Sequence, residues 1–172
     1  MSNQFSPHII RFVALLLLQG LVFNAMAEMS ALPFQVFMYP LFILLLPTSL
    51  PSIYTVLLGF AVGLAADSFE NTGAIHAGAG SMSGYVRYLL LRFYEPKGGF
   101  TGKELIPSPH WFGYTWFFRL AAIFFAAHIL WFFLLDAFNF VQLGSVIFKT
   151  MLSWVASMFF GVGLVAVLNP KQ

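Results

Sequence analysis

Asp67, His76, His128, Asp136 and Lys149 are ionisable side chains that stand within apolar stretches of the sequence. Asp67 and His76 offer a carboxylate and an imidazole for acid–base work, but spacing positions no nucleophile beside them. Cysteine is absent, which removes disulfides, thiolate metal sites and a cysteine nucleophile. No HExxH, GxSxG, phosphate-binding loop or dinucleotide fingerprint occurs. The expectation is a protein without enzymatic activity, cofactor or metal. The chemistry left to these groups is ion pairing: Lys149 lies about 10 Å inside the last apolar segment and has Asp67 or Asp136 as natural partners.

The elements that hold these groups follow from composition. Of 172 residues, 60% are hydrophobic and 8% are charged. So few charges cannot cover a soluble globule, and such hydrophobicity excludes disorder. The 8 basic residues are scattered and form no stripe for nucleic acid. An integral membrane protein remains.

A helix crosses the hydrocarbon of a bilayer with roughly 20 residues. Six apolar segments are candidates: Ile9–Ala27, Leu32–Leu46, Ile53–Ser68, Ala74–Leu91, Thr115–Phe138 and Leu143–Leu168. None alternates with a period of two, so the fold class is an all-α, polytopic transmembrane bundle in a single domain rather than a barrel. The second segment holds Pro33, Pro40 and Pro47 and is short. Six spans are expected, and five if this segment is kinked or re-entrant. Arg11, the run Phe12–Phe23 and the small residues Ala25 and Ala27 imitate a signal peptide with its cleavage site, but the positive flank is thin. The reading is an uncleaved first span.

With six spans and a cytoplasmic N-terminus, Arg11, Arg87, Arg92, Lys97, Lys103, Arg119 and Lys171 gather on the cytoplasmic side. Glu28, Asp67, Glu70 and Asp136 fall outside, and Lys149 breaks the rule. Both termini and the loop from Glu95 to His110 are then cytoplasmic. Trp111, Tyr114 and Trp116 at one end of the fifth segment and Trp131 at the other suit interfacial aromatic belts.

Small residues at helical spacing mark faces on which membrane helices approach closely. The third segment offers Gly59 and Gly63, the fourth Gly73, Ala77, Gly80 and Gly84, and the sixth Ser153, Ser157 and Gly161. Arg87 continues the ladder of the fourth segment and faces protein, either reaching the cytoplasmic interface or bonding carbonyls freed by the prolines of the second. Arg119 suits a lipid-phosphate anchor. Asn71 or Thr72 can cap the fourth helix, with acidic groups favourable beside its positive end. The cluster of Asp67, His76, His128, Asp136 and Lys149 admits two readings. One is a polar cavity open to the outside that receives a ligand or partner helix. The other is a structural ion pair with two histidines bonded to neighbouring carbonyls.

The run Leu41-Phe-Ile-Leu-Leu-Leu-Pro, the stretch Leu57-Leu-Gly-Phe-Ala-Val-Gly-Leu-Ala-Ala-Asp-Ser-Phe, then Asn71-Thr-Gly-Ala-Ile-His-Ala and Tyr85-Val-Arg resemble the rod shape-determining MreD family, in its Bacteroidetes form. The resemblance covers roughly Leu41 to Arg92 and excludes the loop from Glu95 to His110. It implies a non-enzymatic subunit of the bacterial inner membrane, part of the elongation complex that supports cell shape and lateral peptidoglycan synthesis. The implied partners are MreC, the MreB filament system, the lateral wall synthases and membrane lipid. The family has no catalytic residues to carry over. Gly63, Asp67, Gly73 and His76 match its pattern as turn and packing positions. Its similarity to the substrate-binding subunits of ECF transporters implies the alternative, a small-molecule (vitamin-like) capture subunit of an uptake system.

Overall fold

The fold is that of a computed structural model, which describes residues 6–23, 25, 33–100, 106–138 and 143–168. Glu28, Lys103, Lys171 and the ends of the first two expected spans lie outside these residues. The described elements are helical, with no strand among them. Helix α1 (Ser6–Leu17) runs into a π-helical turn, Leu18–Phe23. Then come α2 (Pro40–Leu44), α3 (Ser52–Glu70), α4 (Ile75–Phe93), α5 (Pro109–Phe112), α6 (Tyr114–Ala137) and α7 (Leu143–Leu168). Helices α3 and α6, with residues Leu143–Val167 of α7, are long and apolar enough to cross a membrane. Helix α4 matches α3 at 19 residues. An all-helical bundle with an apolar exterior results, as the composition demands.

The second apolar segment departs from expectation. Leu32–Leu46 is not a continuous helix: residues 34–38 have no regular structure, Tyr39 turns the chain, and α2 follows for five residues. Pro33, Pro40 and Pro47 carry no amide proton, so an unbroken ladder of helical hydrogen bonds cannot form. Irregular backbone survives at membrane depth only where protein surrounds it. Here the hydrophobic side chains from Val36 to Leu46 are 0–7% exposed, and they form the centre of the core with Phe117, Leu120, Phe124, Phe125 and Ile129 of α6. An extended stretch advances about 3.3 Å per residue against about 1.5 Å in a helix. So few residues can therefore run from the end of the bundle near Glu70, where Gln35 bonds that carboxylate, to the end near Arg87, which bonds Leu44 and Leu46.

Amides freed by this path find side-chain acceptors on neighbouring helices. Ser153 Oγ accepts from Gln35 N at 3.0 Å, Ser157 Oγ accepts from Phe37 N at 2.9 Å, and Gln19 Oε1 accepts from Met38 N at 2.8 Å. Two extended residues advance about 6.6 Å and four helical residues about 6.0 Å, so the registers match. Ser153 and Ser157 therefore serve as hydrogen-bond acceptors, beyond being small.

The glycine ladders of α3 and α4 meet each other. A Cβ on Gly59 would overlap the carbonyl oxygen of Gly80, and one on Gly80 would overlap that of Gly59. Gly63 sits in the same way on the His76 carbonyl, and a Cβ on Gly84 would lie 2.5 Å from the Thr55 oxygen. Ala77 is fully buried on the same helix. Gly161 of α7 faces the Phe125 ring, 3.2 Å from where its Cβ would be. Gly73 does not pack: nothing lies within 4 Å, and its φ of +62° marks a turn position.

Charge is segregated along the bundle. Arg11 reaches the Leu45 carbonyl, Arg87 and Arg92 lie near the end of α4, and Arg119 near the start of α6, all toward one end. Asp67, Glu70 and Asp136 lie toward the other; Glu95 is an exception at the basic end and Lys149, beside Phe133, an exception at the acidic end.

Candidate functional site

Five side chains from four segments form a continuous hydrogen-bonded chain inside the bundle. Glu70, the last residue of α3, holds His76 of α4 at 2.9 Å through Oε2 and Nε2. His76 Nδ1 is 3.1 Å from the Tyr39 hydroxyl, which is 2.9 Å from His128 Nε2 on α6. His128 Nδ1 is 2.6 Å from Ser83 Oγ, and that hydroxyl lies 2.9 Å from the Ala79 carbonyl. Gln19 and Gln35 donate to the two oxygens of Glu70 at 3.2 and 2.6 Å. Tyr39, His76 and His128 are fully buried.

Local folding explains this convergence. Tyr39, with φ −60° and ψ −29°, opens α2 with Pro40 in its first turn, and this places the phenol between α4 and α6. The π-helical turn carries Gln19, 1% exposed, toward Glu70 and the Met38 amide. Aromatic rings fill the surrounding space: Phe132 is 4.6 Å from His76 between centroids, and Phe37 is 5.6 Å from His128.

Asp67 has a separate task one turn before Glu70. Its oxygens accept the amides of His76 at 3.0 Å and Ala77 at 2.9 Å, and the Thr72 hydroxyl donates to it at 2.5 Å. The carboxylate thus caps the start of α4 across the connection, where free amides and the helix dipole favour negative charge. Neither Asn71 nor Thr72 is the cap: α4 has no side-chain cap from its own N-cap residue, and Asn71 instead ends α3 in a left-handed conformation, φ 53°.

The expected cluster is therefore divided. His76 and His128 share the buried chain, and Asp67 serves the adjoining helix cap. Asp136 is exposed at the rim of a surface hollow with Thr72, Gly73 and Ile75. Lys149 makes no ion pair among the described residues, because Asp67 is engaged by amides; its ammonium lies 5.9 Å from the centre of the Phe133 ring. Arg87, 2% exposed, donates through Nε to Leu44 at 3.2 Å and through Nη2 to Leu46 and Pro47 at 2.5 and 3.0 Å. These acceptors belong to the segment broken by prolines. Arg119 is exposed.

Sequence reasoning missed Glu70, Tyr39, Gln19, Gln35 and Ser83 as members of the site. Gln19 was the available signal, a polar amide in the middle of an apolar run. Glu70 reads as a turn residue until the extended segment brings Gln35 beside it.

Chemically, the chain can store and reorder protons between two imidazoles, a phenol and a carboxylate. With Gln19 and Gln35 it also pins the irregular segment to the π-helical turn, α3, α4 and α6. Among the described residues, no group of three or more histidine, cysteine or acidic side chains is arranged to hold a metal ion. Comparison of the chain with known protein families, with curated proteins and with solved structures finds no match.

Proposed function

We propose that this protein is a non-enzymatic scaffold of the bacterial cell-elongation complex, seated in the inner membrane and binding the transmembrane helix of MreC. The sequence resemblance suggests the system. The observation that carries the reading is the closed polar core: its imidazoles, phenol and glutamate bond one another, and Phe37 and Phe132 fill the space a solute would occupy. A capture subunit needs that space open.

The glycine faces of α3 and α4 are consumed within the chain, so they are not offered to a partner. Helix α7 is the least buried of the three long apolar helices, at 28%, and presents Ile147, Met151, Val155 and Phe159 outward. In this reading the MreC helix packs along that face. MreB and the wall synthases associate through the complex, with N- and C-termini cytoplasmic.

Co-expression with MreC of a rod-shaped bacterium and co-purification in mild detergent tests the proposal. A stoichiometric complex, together with rounding of cells depleted of this protein, is the expected result. An intact bundle that leaves MreC behind, in cells that stay rod-shaped without it, overturns the reading.

A further inference from the structure

At the basic end, a cavity of about 200 Å³ opens between the start of α3 and the end of α4. Ser52, Arg87, Tyr88, Arg92 and Glu95 are among its lining residues. Arg87 is the unusual member. Its Nε and Nη2 are committed to backbone carbonyls, while the two protons of Nη1 have no partner among the described residues. The guanidinium is thus buried and fixed in orientation, and no carboxylate among the described residues pairs with it.

Two further features carry the same sign. Helix α3 begins in the cavity wall at Ser52, after Pro51, and has no side-chain cap. Its first amides and its dipole face that end of the helix, where anions bind favourably. Arg92 is anchored by its own bond to the Tyr88 hydroxyl at 3.2 Å. Among the described lining residues, Glu95 opposes them.

We propose that this cavity is a binding site for a phosphoryl group, gripped by Nη1 of Arg87 and by Arg92 and seated toward the N-terminus of α3. Donors approaching from a guanidinium, a helix end and a second arginine suit a tetrahedral oxyanion better than a planar carboxylate, which a single guanidinium fork satisfies. The volume admits a phosphoryl group with its first ester atoms. The group can belong to a lipid headgroup or to a free phosphate, and the inference does not depend on any role with MreC.

The test uses the full chain in nanodiscs of phosphatidylcholine. One arm titrates inorganic phosphate to about 10 mM and follows the thermal midpoint. The other replaces part of the lipid with phosphatidic acid and counts retained lipid by native mass spectrometry. Saturable binding in the first arm alone identifies a free phosphate, and selective retention in the second identifies a headgroup. In either arm Arg92→Gln is expected to weaken binding and Glu95→Gln to tighten it, each by roughly 2- to 5-fold, the range for partly exposed charges. The gain from Glu95→Gln cannot be produced by misfolding. Arg87→Lys, which keeps the charge and loses the fork, is expected to reduce affinity by about 10-fold or more. No binding in either arm, or binding indifferent to both Arg92→Gln and Glu95→Gln, overturns the proposal.

Discussion

His76 Nε2 lies 2.9 Å from Glu70 Oε2, with the two side chains 0% and 5% exposed. The rest of the chain dictates what proton this contact holds. If the Ser83 hydroxyl gives its proton to the Ala79 carbonyl, His128 must donate from Nδ1 and accept from Tyr39 at Nε2. Tyr39 must then accept from His76 Nδ1, and the contact with Glu70 carries an extra proton, on the imidazole or on the carboxyl. If Ser83 instead donates to His128, its bond to the Ala79 carbonyl is given up, the bonds joining His128, Tyr39 and His76 reverse, and a neutral His76 carries its proton on Nε2 toward an ionised Glu70. The two orders differ by a single proton, so the chain has two defined states.

Tyr39→Phe tests this coupling. It removes the hydroxyl that joins the imidazoles and keeps the ring that fills the core. Nitrogen NMR of labelled histidine is expected to show the tautomer populations of both His76 and His128 changed by Tyr39→Phe, since both rings lose the same partner. A change confined to one of the two rings would show that the chain does not act as a unit.

Gly80→Leu is expected to disrupt the α3–α4 contact rather than a partner interface, because the Gly59 carbonyl occupies the space a Cβ needs. Destabilisation above about 3 kcal/mol is expected, since backbone cannot yield as a side chain can. Gly144→Ala and Gly163→Ala meet nothing within 4 Å and should be neutral or slightly stabilising, by up to about 1 kcal/mol. Thermal unfolding in detergent distinguishes the two classes.

Much of this bundle was legible in the sequence because long apolar runs have one reading once strand alternation is absent. The ladders of Gly59, Gly63, Gly80 and Gly84 marked a close approach. Arg87 pointed to the carbonyls left over by prolines. The stretch from Phe34 to Met38 was not legible as extended backbone, because a short apolar run fits either conformation and its amide acceptors lie far away in sequence, on Gln19, Ser153 and Ser157. The same gap hid the site. Tyr39 and Gln35 reach His76 and Glu70 only after that segment takes its path, and the expected Lys149 ion pair failed because amides of α4 had already claimed Asp67.

Ser157→Ala is expected to leave the Phe37 amide buried without an acceptor, costing about 1–3 kcal/mol. Ser145, exposed on the first turn of α7, supplies the control, and Ser145→Ala should change stability by less than about 0.5 kcal/mol. Equal midpoints for the two variants would remove the serines as supports of the extended segment.

Asp67→Ala deprives the start of α4 of its acceptor and is expected to cost about 0.5–2 kcal/mol. Lys149→Gln is expected to cost less than about 0.5 kcal/mol, since no carboxylate among the described residues pairs with the ammonium. A large loss with Lys149→Gln, relieved by a second change at Asp136, would restore the ion pair that the geometry replaces.

In the proposed function, a rigid bundle with a closed polar core offers its outer apolar face to MreC. Single cysteines placed along α7 of this cysteine-free chain, each tested for crosslinking to a cysteine in the MreC transmembrane helix in native membranes, measure it most directly. Crosslinks from Met151→Cys and Val155→Cys, with none from Ser157→Cys, are the predicted pattern. Crosslinks at no outward position of α7, in membranes where the two proteins still co-purify, would move the partner to another face, and the absence of both crosslink and complex would contradict the account.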